Sequence, residues 1–163
     1  MSWNDYVTNK LINTVDANGH QLTNVLEHGA LLGCNDGVAW AASAGFNITK
    51  RKGQVEGSGN VEIDEFANIK SAFDNNGDCK GVGGIRLNGE KFLMVNFDAE
   101  SKVMYLKKQG GGGCIAKSNM AFVVGVFSTS KKMRIDGKEE NQNPGYCNKV
   151  VEELAEYLRS LHY

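Results

Sequence analysis

"IRLNGEKFLMVNFDAESKVMYLKK" (residues 85–108) is the stretch that decides the fold. Asn88-Gly89 is a pair suited to a tight hairpin turn, and the short polar "AES" (99–101) separates the next two apolar runs. The segment reads as three successive antiparallel strands. "QGGGG" (109–113) follows as turn or bulge glycine, then "CIAKS" (114–118) and "MAFVVGVF" (120–127) extend the meander. Side chains alternate along a strand, so in "KFLMVNF" Phe92 and Met94 point one way and Leu93, Val95 and Phe97 the other. Both sets are apolar, so both faces of the sheet call for cover.

Three amphipathic segments supply it. "SWNDYVTNKLI" (2–12) reads as a helix with Ser2 as N-cap, Asp5 in the first turn and apolar side chains at helical spacing. "EIDEFANIKSAF" (62–73) places Phe66, Ile69 and Phe73 on one stripe. "YCNKVVEELAEYLRSL" (146–161) does the same with Val150, Val151, Leu154, Leu158 and Leu161. Upstream, "ALLGC" (30–34) and "VAWAAS" (38–43) flank "NDG" (35–37), another hairpin signal. The expected fold is α+β: a central antiparallel β-sheet with N- and C-terminal helices packed on one face and a shorter helix on the other. Residues 1–163 read as a single domain, with 49–60 and 128–143 as extended surface loops.

Composition narrows the function. The 163 residues are 41% hydrophobic and 23% charged, with 18 basic and 19 acidic side chains and a net charge of -1. That balance leaves no electrostatic footprint for nucleic acid. No run approaches the length of a membrane span, and the N-terminus lacks the pattern of a signal peptide. The four cysteines are scattered without CxxC spacing and read as reduced, packed thiols of a cytosolic protein. "GVGGIRLNG" (81–89) breaks the dinucleotide fingerprint at Arg86, "QGGGGC" lacks the ending of a phosphate loop, and "DNNGDC" lacks the closing Glu of a calcium loop. Three histidines show no ligand spacing. Neither a cofactor nor a metal is expected, and no residues stand out to carry catalysis.

The aromatic residues at the two ends are the unusual feature, because termini more often fray. Trp3 and Tyr6 share a helical face, Tyr157 and Tyr163 lie on or just past the last helix, and Trp40 follows the first hairpin turn. If the terminal helices lie side by side, these rings line one shallow surface. Polyproline helices dock on such surfaces: their rings lie flat on aromatic faces, and Trp N–H and Tyr O–H groups donate to free proline carbonyls.

"SWNDYV" (2–7), "GVAWAAS" (37–43), "LNGEKFLMV" (87–95) and "KVVEELAEYLRSLHY" (149–163), in that order over nearly the whole chain, resemble profilin. The resemblance implies a monomeric cytoplasmic and cytoskeletal protein. Such a protein binds monomeric actin, promotes its nucleotide exchange, and binds proline-rich segments of assembly factors such as formins, and phosphoinositide headgroups. It implies a poly-proline site at Trp3, Tyr6, Trp40, Tyr157, Leu158 and Tyr163. It implies an actin face, on the opposite side, at Lys91, Val95, Tyr105, Lys107, Gly145, Asn148 and Lys149. The lysines suit carboxylates on actin, and Gly145 permits close backbone approach.

The sequence departs from the family pattern in places. Asn96 stands where many members carry arginine, the Gly81–Gly84 stretch lacks an aromatic, and both loops are long. The basic clusters "KRK" (50–52) and "KKMR" (131–134) are the candidates for anionic headgroups. Two other readings stay open: a ligand-binding sensor of the helix-flanked antiparallel-sheet type, and a profilin relative with weak or lost actin binding.

Overall fold

Ser2 and Asp5 start the first helix by reciprocal capping. The Asp5 N–H donates to Ser2 Oγ at 3.2 Å, and the Ser2 N–H to Asp5 Oδ2 at 3.0 Å, which satisfies donors that a helix start leaves free. In this computed structural model, which describes residues 2–163, α1 (Trp3–Tyr6) runs directly into a π-helical stretch, Val7–Ile12. The wider winding is closed where the Asn13 N–H donates to Thr8 O, five residues back, at 3.0 Å.

The strands follow in chain order. β1 (Thr14–Val15), β2 (Gln21–Thr23), β3 (His28–Gly33) and β4 (Ala39–Ala42) precede a hairpin of β5 (Lys50–Val55) and β6 (Gly59–Asp64). The Asp64 carboxylate then accepts the Ala67 N–H at 3.0 Å and caps α2 (Glu65–Asp74). The meander is β7 (Ile85–Leu87), β8 (Glu90–Asp98), β9 (Val103–Lys108), β10 (Gly111–Lys117) and β11 (Ala121–Ser128). A last hairpin, β12 (Lys132–Ile135) with β13 (Lys138–Asn141), leads into α3 (Pro144–Ser160), where Asn143 is the N-cap and Pro144 suits the first helical turn. Seven strands form one antiparallel sheet in the order β4-β3-β11-β10-β9-β8-β7, and β1-β2-β12-β13 form a smaller one.

The layering matches the sequence expectation. On one face Val7 and Leu11 of the π-helical stretch and Val151, Leu154 and Leu158 of α3 bury against Cys114, Ala116, Val123 and Phe127. On the other, Ile69, Ala72 and Phe73 of α2 pack on Leu32, Ile115, Phe122 and Val124. A pair of glycines sets how closely the terminal helices approach. Gly29 and Gly125 are register partners in β3 and β11. A Cβ at Gly29 would stand 3.2 Å from Leu11 Cδ1, and one at Gly125 only 2.6 Å from Val151 Cγ2. Each helix thus rests on bare backbone beside the other. Among the described residues no helix is long and apolar enough to cross a membrane.

Four expectations change. The segments 49–60 and 128–143 are largely ordered as the β5–β6 and β12–β13 hairpins rather than irregular loops. The middle helix begins at Glu65, because Ile63 is still paired with Arg51 in the preceding hairpin. Gly111 to Gly113 are not turn residues but the first three positions of β10, paired with both neighbours. Finally, β8 carries a bulge between Met94 and Asn96. The extra residue reverses the alternation, so Phe97 joins Phe92 on the α2 face instead of opposing it. Leu93 and Val95 are left uncovered, 66% and 65% exposed.

Candidate functional site

Five rings from three distant parts of the chain meet on one surface. Trp3 stands 5.3 Å from Tyr6, 4.6 Å from Trp40 and 5.3 Å from Tyr163 between ring centroids, and Tyr6 stands 6.3 Å from Tyr157. They form a shelf running from Tyr157 through Tyr6 and Trp3 to Trp40, with Tyr163 edge-on beside Trp3. Tyr157 and Tyr163 are 43% and 42% exposed, and the other three are half-buried. Lys10 holds its ammonium 5.3 Å from the Tyr157 centroid.

The backbone fixes each ring. Trp40 lies across Gly33, whose missing side chain leaves space 3.3 Å from Trp40 Nε1. Past the end of α3 the chain turns at His162, which has a φ of +66°. The Tyr163 N–H then donates to Leu158 O at 2.9 Å, and Tyr163 O accepts the Met120 N–H at 2.8 Å. Arg159 ties the last turn of α3 to the sheet by donating to Ser101 O, at 3.0 Å, and to Lys117 O. Burial, and then the neighbouring Tyr157, raise the Tyr6 phenol above its ordinary range; like any tyrosine it is protonated at neutral pH and able to donate. The shelf offers aromatic faces with N–H and O–H donors between them, the surface that an extended proline helix needs.

A second concavity lies at the other end of α3. Val95, Tyr105, Lys107, Phe127, Pro144 and Asn148 surround a groove of about 540 Å³. It adjoins a smaller hollow of about 360 Å³ lined by Lys91, Leu93 and Lys107. The Tyr105 hydroxyl donates to Glu152 Oε1 at 3.0 Å, and burial, then this carboxylate, push its phenol strongly up. The exposed Lys91 and Lys107 together with the bare apolar Leu93 and Val95 make a patch suited to an acidic protein surface.

The Profilin family model matches residues 1–163. A profilin of Tetrahymena pyriformis is 40% identical over 140 residues, covering 85% of this chain and 90% of that protein. The chain belongs to the profilin family. Among solved structures, profilin IB of Acanthamoeba castellanii is 28% identical with a TM-score of 0.65, covering 99% of this chain and 100% of its own. Mouse profilin IIa, solved in complex with a double repeat from the FH1 domain of mDia1, shares the fold at 20% identity and a TM-score of 0.56, with both chains fully covered.

Within this profilin, the residues assigned by resemblance sort themselves by geometry. Trp3, Tyr6, Trp40, Tyr157 and Tyr163 come together on the shelf. Leu158 does not join them at the surface: it is wholly buried among the core side chains that carry the rings. Val95, Tyr105, Lys107 and Asn148 line the groove, Lys91 lines the adjoining hollow, and Gly145 is exposed beside Pro144. Lys149 stands apart from the groove lining: its ammonium pairs with the wholly buried Asp16 carboxylate at 2.8 Å, so its charge is already matched within the protein although the side chain is partly exposed. The two surfaces also lie on the same helix-covered side of the sheet, at opposite ends of α3, rather than on opposite faces. Leu93, Phe127 and Pro144 escaped the sequence reading. The apolar alternation of β8 carried a signal for Leu93, but nothing local marked the other two.

Proposed function

We propose that this profilin is a cytoplasmic, cytoskeletal adaptor that binds monomeric actin through the groove and proline-rich segments of assembly factors through the shelf. One observation carries the reading: rings from residues 3, 6, 40, 157 and 163 converge into a single solvent-facing surface. Core packing alone does not require exposed rings, and the sensor alternative leaves them without a task. Mouse profilin IIa, of the same fold, has been solved with a double repeat from the FH1 domain of mDia1 bound. Binding both partners at once raises the local concentration of actin subunits at a proline-rich assembly factor, and differential affinity for open and closed actin accounts for any change in nucleotide exchange. No covalent step is involved, and the protein acts as a monomer.

Titrating a proline decamer while following Trp fluorescence tests the shelf, because both tryptophans of the chain lie in it. A saturable change supports the reading; a flat signal up to millimolar peptide contradicts it. The phosphoinositide role draws less support. In the 50–52 cluster Lys50 faces Asp64 at 4.0 Å and Arg51 faces the buried Glu65 at 3.3 Å, while in 131–134 Arg134 faces Glu139 at 3.7 Å. Anionic vesicles are expected to compete weakly at these clusters.

A further inference from the structure

The shelf does not end at Tyr157. Beyond that ring the surface dips into a pocket of about 250 Å³ between α3 and the start of β1. Its lining combines apolar surface with carboxylates. Val15, 59% exposed, and Tyr157 supply the apolar surface, while Glu153 and Glu156, one helical turn apart on α3, supply the carboxylates. Asp16 also lines the pocket, but its charge is met by Lys149 at 2.8 Å. Lys10 is the one other charged group there, and its ammonium sits 5.3 Å from the centre of the Tyr157 ring. Among the described residues neither Glu153 nor Glu156 has a basic partner within ion-pair distance; Glu153 only accepts the Ala17 N–H at 3.4 Å.

We propose that this pocket selects proline-rich segments carrying a lysine or arginine next to the proline run. The inference rests on the proline-binding reading of the shelf and gives it a preference. Rings and donors recognise any polyproline helix, so the shelf alone does not choose among such partners. A basic side chain leaving the end of the run at Tyr157 finds what its two parts need: apolar wall for the methylene stem and carboxylates for the head. A neutral or acidic flanking residue finds unmatched carboxylates instead.

The test compares five peptides on the full-length protein: a proline decamer, two decamers with a lysine added at one end or the other, and two with a glutamate added at one end or the other. We expect one of the lysine peptides to bind about three-fold tighter than the plain decamer at low salt, the range of exposed ion pairs. The glutamate peptides should bind more weakly, and the lysine advantage should shrink as salt is added. In the double variant Glu153→Gln/Glu156→Gln the ratio of lysine-peptide to plain-decamer affinity should fall to about one. If all five peptides bind equally, the pocket has no such role while the shelf stands. If the lysine advantage persists in the double variant, it arises elsewhere and the inference is wrong. If no peptide binds, the proline reading itself fails and the pocket's role with it.

Discussion

Trp3 is the keystone among the residues, since it alone touches Tyr6, Trp40 and Tyr163. Trp3→Ala should weaken proline-decamer binding at least ten-fold, as removal of central aromatic anchors does. Its thermal midpoint should move much less, because Trp3 is only half-buried. Lys149 and Asp16 pose a different question. Burial alone would raise the Asp16 carboxyl. The hydrogen bonds from Lys149 and from the His20 and Asn18 N–H groups outweigh that and hold it below its ordinary range. A lowered value in the folded state means that Asp16 stabilises the protein above about pH 4 and that this contribution disappears as pH falls through the folded value. Lys149→Met leaves a buried carboxylate without its cation and should cost roughly 2 kcal/mol, less than a fully buried pair because Lys149 is partly exposed. Urea midpoints between pH 2 and 7 check both: the variant should be less stable at neutral pH, and its loss of stability towards acid should be smaller than the wild type's, because the Asp16 carboxyl is no longer held so low in the folded state. The rings were legible in the sequence because Trp and Tyr at both termini have few other uses. The pairing of Lys149 was not legible, because its partner lies 133 residues away and sequence shows the charge of a lysine but not what it faces.

Among the elements, α3 and the π-helical stretch decide whether the shelf exists at all. They are brought together by Gly29 and Gly125, and an added methyl at Gly125 would press on Val151 and Leu26. Gly125→Ala should therefore destabilise by about 1–3 kcal/mol, the usual cost of overpacking. It should also displace α3 enough to weaken proline binding, although no ring is touched. Equal decamer affinity in wild type and variant would show that helix spacing does not set the shelf. The helices and the five-strand meander could be read from periodicity and turn residues. The bulge in β8 could not, because nothing in "LMVNF" signals an extra residue, and it is the bulge that leaves Leu93 and Val95 bare while returning Phe97 to the core. The hairpins at 50–64 and 132–141 were hidden for a related reason. β5 and β13 are almost wholly polar, so the alternation that marks a half-buried strand is missing there, and in β6 and β12 it amounts to only two apolar residues each, Val61 and Ile63, and Met133 and Ile135.

At the scale of the whole molecule, α3 is the strut between the shelf and the groove proposed as binding surfaces. From Asn148 at the groove to Tyr157 on the shelf the helix advances about 14 Å, close enough to couple two partners and far enough apart to hold both. Among the described residues, the unpaired cations of the proposed actin surface are Lys91 and Lys107, so Lys91→Glu/Lys107→Glu should reduce affinity for monomeric actin at least ten-fold while leaving decamer binding unchanged. Pyrene-actin assembly and decamer fluorescence, run on the same preparation, measure the two halves. The adaptor claim itself is tested most directly by sedimentation velocity on a mixture of this protein, monomeric actin and a fluorescently labelled proline decamer. The account predicts that labelled peptide travels with the protein–actin complex, at one copy of each. Peptide that sediments only with free protein, or not at all, would contradict it.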